Sequence, residues 1–233
     1  MTQESLDFIL KIFLFYLPLL FSLCVHEFAH AWTAKKKGDL TAFYEGKGDL
    51  TAFYEGRLTL NPIVHVDYLG TLILPLIFLF TNSPLFFGWA KPVPVNPHAF
   101  KKPKQDMFWV AFAGPLSNIF LAIIGTLILS FLYLSQITNT ISLNKNFISM
   151  MEMFIYLNML LAFFNLIPLH PLDGGKVIAR FLPIKWNLFL EENQKYSYIL
   201  LILFLISGAF YYLSKPILFT SQYLIGIAQS LSQ

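Results

Sequence analysis

Polar residues are scarce in this chain and fall in groups between long apolar runs. Four runs, 6–32, 108–134, 150–169 and 198–213, predict membrane-crossing helices, which take about 20 residues at about 1.5 Å each. A fifth apolar stretch, 68–90, is broken by Pro75 and by the polar turn 81–84, so it predicts a re-entrant segment rather than a crossing. The last piece, 216–231, is mixed with Ser and Gln and fits either a span or an interfacial helix. Residues 35–67 are polar and carry the strand-like stretches LTAFYEG and RLTLNP, which predict a small β-hairpin at the membrane surface. KPVPVNP at 91–97 reads as an extended edge strand, because each proline removes a backbone donor and biases its predecessor toward β. The expected fold is mainly α: a polytopic membrane protein of one domain over 1–233, with about four to six transmembrane helices, a re-entrant segment and that hairpin.

Composition supports a bilayer as the solvent. Of 233 residues, 56% are hydrophobic and only 12% charged, too few for a water-soluble surface. The net charge of +3 comes from short basic clusters beside apolar runs, which are topology signals and not a nucleic-acid surface. Cys24 is the one cysteine, so no disulfide forms within the chain. The first run lacks a basic start and a small-residue cleavage site, and it is read as mature structure rather than a secretion signal.

Charge then orients the spans. Lys and Arg crowd 35–57, 91–104 and 176–195, whereas 135–149 holds only Lys145, so the first three segments are placed in the cytosol of a cell inner membrane. The first helix runs inward, the run from 108 outward and the run from 150 inward again. Were 68–90 a full crossing, the ends of the first and third runs would lie about 30 Å of hydrocarbon apart.

Those two ends carry the candidate chemistry. His26, Glu27 and His30 form H-E-x-x-H; on a helix the i to i+4 spacing stacks both imidazoles on one face, suiting a tetrahedral zinc ion. Glu27 then lies where a carboxylate can take a proton from water and hand it to a leaving amine. Catalytic zinc usually has a third protein ligand. The remote candidates lie in NLIPLHPLDGG: Asp173, followed by two glycines that permit a tight turn, and His170 three residues earlier. Cys24 points about 200° away from His26 around the helix and is a packing residue. His65 and Asp67 are read as structural, and His98 as a solvated loop residue.

In order along the chain, HEFAH, GDLTAFYEGRLTLNPIVHVDYLGT, FGWAKPVPVNP, AGPLSN and NLIPLHPLDGG resemble the site-2 proteases, intramembrane zinc metalloproteases. The likeness covers almost the whole chain and implies a minimal bacterial-type member without an evident PDZ or CBS domain. It implies one zinc ion held by His26, His30 and Asp173, with Glu27 as catalytic acid and base. It further implies that Asn118 and Asn165 lie near the active site as hydrogen-bond donors to substrate or to an oxyanion. The implied partner is a single-span membrane protein, such as an anti-sigma factor or signal-peptide remnant, cut within or next to its transmembrane helix. The competing class is a zinc or other ion transporter, since broken helices with intramembrane His and Asp also mark transport paths.

One feature fits no mechanism: 37–56 is a ten-residue unit written twice. Removing either copy leaves the motif order intact, and ten is even, so an extended segment keeps its facing. Deletion of 47–56 is expected to preserve zinc binding and most activity; loss of activity with the fold intact would mean that the extra unit contacts substrate. For the segment 68–90, a cysteine placed at position 83 is expected to resist labelling from outside the cell, and ready labelling there would refute the re-entrant reading.

Overall fold

The computed structural model describes residues 3–44, 56–81, 88–137 and 145–232 and is mainly helical. The helices are α1 (Gln3–Lys36), α2 (Thr41–Tyr44), α3 (Leu74–Phe80), α4 (Pro103–Ile137) and α5 (Lys145–Asn165). They are followed by α6 (Asp173–Ala179), α7 (Ile184–Glu192), α8 (Gln194–Ile206) and α9 (Phe210–Ser230). Among the described residues three helices are long and apolar enough to cross a membrane: Ile12–Lys36, Pro103–Ser135 and Lys145–Asn165. A fourth crossing is available if Lys195–Leu205 and Phe210–Ser230, bent by 72°, act as one broken span. The chain is thus a multi-pass membrane protein with three to four candidate spans, at the lower end of what the apolar runs suggest.

α1, α4 and α5 pack on one another, and α9 closes the bundle against α4 and α5. Their shared core includes Phe15, Leu19 and Leu23 of α1, Leu129 of α4, Ile155 and Leu157 of α5 and Ile217 of α9. Lipid is as apolar as leucine, so helix association here depends on close packing and on interhelical hydrogen bonds. Ser22, Asn118 and Asn158 supply such bonds at the point where α1, α4 and α5 meet, each fully buried. α8 presents Tyr198, Ile199, Ile202 and Leu203 outward, a surface suited to lipid.

The expected β-hairpin is not supported: the described residues contain no strand. After α1 and the single turn of α2, residues 45–55, which hold most of the second repeat copy, lie outside the described residues. Residues 57–60 form bends, and Pro62–His65 is a 3-10 turn capped by Asn61, whose side chain accepts from the Ile63 N–H. Nor is 91–97 a ladder strand. Its prolines lack donors, and its N–H groups go to isolated acceptors: Lys91 to the His65 carbonyl, Val93 to Glu27 Oε2 and Asn96 to Asp39 Oδ2. β-propensity was present, but side-chain carboxylates took the places a neighbouring strand would have filled.

Between these segments lies the broken apolar stretch. Asp67 caps the wide turn Tyr68–Ile73 by accepting from the Leu69 and Gly70 N–H groups, and α3 carries the chain away. Residues 82–87, including position 83, lie outside the described residues. At 88–89 the chain is back beside its starting point: the Trp89 N–H donates to the Gly70 carbonyl at 3.2 Å, and Thr71 Oγ1 donates to the Trp89 carbonyl at 2.7 Å.

Candidate metal centre

The helical spacing of HEFAH places His26 and His30 one above the other on α1, with ring centroids 4.6 Å apart. Asp173 arrives from a distant part of the chain, just past the C-terminal end of α5. α5 stops at Asn165 because Pro168 and Pro171 cannot continue a helix, and the chain folds tightly over the start of α6. Gly174 makes that fold possible: a Cβ there would lie 2.2 Å from the Ile167 carbonyl oxygen. The turn delivers Asp173 Oδ2 to 3.2 Å from His26 Nε2 and 3.2 Å from His30 Nε2, while the two nitrogens are 3.0 Å apart. Of the two remote candidates it is Asp173 whose oxygen lies at this point.

This triangle fits zinc. Bonds of about 2.0–2.1 Å in a tetrahedron set ligand atoms about 3.3–3.4 Å apart, close to the separations found. All three residues are buried. Both imidazoles are also turned correctly. His30 Nδ1 bonds the Val110 carbonyl at 2.7 Å, and His26 Nδ1 bonds Asn118 Oδ1 at 2.6 Å. Carbonyl oxygens only accept, so each Nδ1 carries the proton and each Nε2 offers its lone pair inward.

Glu27 completes the cluster. A carboxylate oxygen of Glu27 and one nitrogen each of His26 and His30 all lie within 4.8 Å of one another. Its Oε2 accepts from the Val93 N–H at 2.9 Å. That contact depends on a strap, 91–96, held from several sides. Arg57 Nη1 donates to the Pro92 carbonyl at 2.9 Å and more weakly to that of Lys91 at 3.3 Å, and Asp39 Oδ2 receives the Asn96 N–H at 2.6 Å. Arg57 and Asp39 are both buried, which makes their positions fixed parts of the site floor.

Asn118 lies next to the centre, as the resemblance implies, and bonds His26. It is fully buried behind His26: Oδ1 bonds the imidazole, and Nδ2 donates to Asn158 Oδ1 at 2.9 Å and weakly to the Ser22 carbonyl at 3.4 Å. Its amide is engaged on both sides, by the His26 ring and by Asn158. Asn165 is half-buried, and its Nδ2 donates back to the Leu161 carbonyl at 3.0 Å. Cys24 is a buried packing residue, His98 is exposed, and His65 and Asp67 serve the turns described above.

Sequence reasoning missed Gly114, Ser22 and Asn158. A Cβ on Gly114 would lie 2.4 Å from His30 Nε2 and 2.7 Å from His26 Cε1, so the α4 backbone forms one wall of the centre. The available signals were a Gly-Pro pair and a lone asparagine, each inside an apolar run.

The sequence profile of Peptidase family M50 matches residues 86–208. YwhC of Bacillus subtilis (strain 168), named as a candidate zinc metalloprotease, is 34% identical over 202 residues, covering 87% of this chain and 84% of that protein. Stage IV sporulation protein FB of the same organism is 30% identical over 164 residues, covering 70% of this chain and 48% of that protein. No solved structure matches at a significant level.

Since any side chain at position 114 collides with the ligand atoms, Gly114→Ala is expected to weaken zinc affinity on the order of 10- to 100-fold while leaving helix content unchanged. Chelator competition on the purified protein measures the first, circular dichroism the second.

Proposed function

The chain belongs to peptidase family M50, the site-2 protease family, and from that premise we propose that it cuts a single-span membrane protein within or beside its transmembrane helix, using one zinc ion. That it is a zinc-family metallopeptidase of the membrane follows from its family. The observation that carries the finer reading is the meeting of His26, His30 and Asp173 around one point with Glu27 beside it, at the end of a membrane helix.

His26, His30 and Asp173 are the residues that would hold zinc. When bound, the ion supplies Lewis acidity, which polarises a scissile carbonyl and makes a water easier to deprotonate. Glu27 takes the proton of the attacking water and returns it to the leaving amine. The Val93 N–H holds Glu27 Oε2 in place and leaves the other carboxylate oxygen to move that proton. A helical substrate hides its carbonyls in its own hydrogen bonds, so the cut segment must be extended when it reaches the site. The strap supports such a segment: the Val95 N–H and the Val93 carbonyl have no partner among the described residues, and they suit main-chain pairing with an extended peptide. A single-span regulator such as an anti-sigma factor or a signal-peptide remnant has the required form.

Charge supports placing the centre at the cytosolic face of the inner membrane. Lys35–Lys37 at the end of α1, Lys101, Lys102 and Lys104 before and within the first turn of α4, and Lys176 in α6 with Arg180 just after it belong to the same end of the bundle. Lys37 pairs with Asp106 at 3.3 Å, tying two of these segments together. The family affiliation does not favour the transporter class.

Glu27→Gln separates binding from chemistry. The variant is expected to retain zinc and to lose cleavage of a model transmembrane substrate in detergent by about 10²- to 10⁴-fold. Cleavage at the parent rate would rule the mechanism out.

A further inference from the structure

Deep in the bundle, a chain of side-chain hydrogen bonds runs from α5 through α4 to the metal centre on α1. Its far end is Asn158, whose Nδ2 donates to the Phe154 carbonyl at 2.9 Å and to Ser22 Oγ at 2.8 Å. Asn158 Oδ1 then accepts from Asn118 Nδ2 at 2.9 Å, and Asn118 Oδ1 faces His26 Nδ1 at 2.6 Å. Ser22, Asn118 and Asn158 are each 0% exposed, so no water substitutes for any member.

The direction of this chain is fixed at its origin. The Phe154 carbonyl can only accept, which forces the amide nitrogen of Asn158 toward it and the oxygen of Asn158 toward Asn118. Asn118 must answer with its own nitrogen, and its oxygen is thereby turned to His26. Reversing Asn118 would bring an N–H₂ against His26 Nδ1. The imidazole would then have to carry its proton on Nε2, the atom that points at Asp173 and His30. His30 needs no such control, because its Nδ1 faces a backbone carbonyl that cannot be reversed.

We infer that Asn158, seated by Ser22 and the Phe154 carbonyl, is a positioning residue that selects the metal-binding tautomer of His26 through Asn118. It touches neither substrate nor metal. Its effect is on how readily the centre takes up zinc and not on the cut itself. The inference rests on the reading of His26 as a zinc ligand.

The test uses the purified full-length protein, zinc affinity by chelator competition, and cleavage rate against free zinc concentration. Asn158→Leu is expected to weaken zinc affinity about 10- to 100-fold, the usual effect of losing such a partner. Its cleavage should recover toward the parent plateau as zinc is raised, with KM unchanged, which a merely loosened bundle would not show. Asn158→Asp, protonated in this buried setting, keeps one donor for Phe154 or Ser22 and one acceptor for Asn118, and is expected to bind zinc within a few-fold of the parent. Ser22→Ala is expected to shift affinity in the same direction as Asn158→Leu but less, and it decides the matter if the leucine variant does not fold. Unchanged affinity in Asn158→Leu, or in Ser22→Ala if only that variant folds, would overturn the inference, as would an aspartate variant as weak as the leucine one. His26→Ala run in parallel separates the two levels: if it binds zinc like the parent, the ligand assignment itself fails.

Discussion

In the proposed zinc site three side-chain atoms from two distant parts of the chain meet at one point on the edge of a bilayer, and most of the structure answers to that demand. His26 and His30 are fixed to one face of α1 by helical spacing, so Asp173 has to be brought to them. That requires α5 to run alongside α1, to end where prolines stop it, and to be followed by a turn tight enough for glycine alone. It also requires α4 to come so close that its backbone at Gly114 touches the imidazoles. A bulkier α4 at that level would separate the ligands even with every ligand present.

The polar contacts between these helices are better understood as geometry than as glue. Interhelical hydrogen bonds inside membranes average about 0.6 kcal/mol each, so the few among Ser22, Asn118 and Asn158 contribute little to the stability of the bundle. Burying three polar groups at the crossing of α1, α4 and α5 is still worthwhile if they set the orientation of His26. The strap at 91–96 works in a comparable way on Glu27. Arg57, Asp39 and the His65 carbonyl hold its backbone, and the Val93 N–H reaches the carboxylate.

How much of this could be read in the sequence follows from how local each signal is. HEFAH is legible because its chemistry lies within one helical turn, and Asp173 because prolines and glycines around it announce a turn in any context. The apolar runs were legible as well, although 198–213 turned out to end α8 and begin α9 across a bend. The hairpin was misread because strand propensity reports what a pleated neighbour would favour and cannot say that the neighbour is a carboxylate. Asn118 was noticed, but its orientation depends on Asn158, which is 40 positions away in sequence. Ser22 gave almost no signal, and Gly114 only its place in a Gly-Pro pair, because what they touch is decided by helix packing.

The order of the parts along the chain has a consequence in time. The two histidines are synthesised within the first 30 residues, but the third corner of the centre waits until position 173. At about 5–20 residues per second, a nascent chain carries half a site for on the order of ten seconds. Throughout that interval it is inserted alongside other newly made membrane helices, the class of molecule proposed above as its substrate. Splitting the proposed ligands between α1 and α6 keeps the centre incomplete until most of the chain has been made.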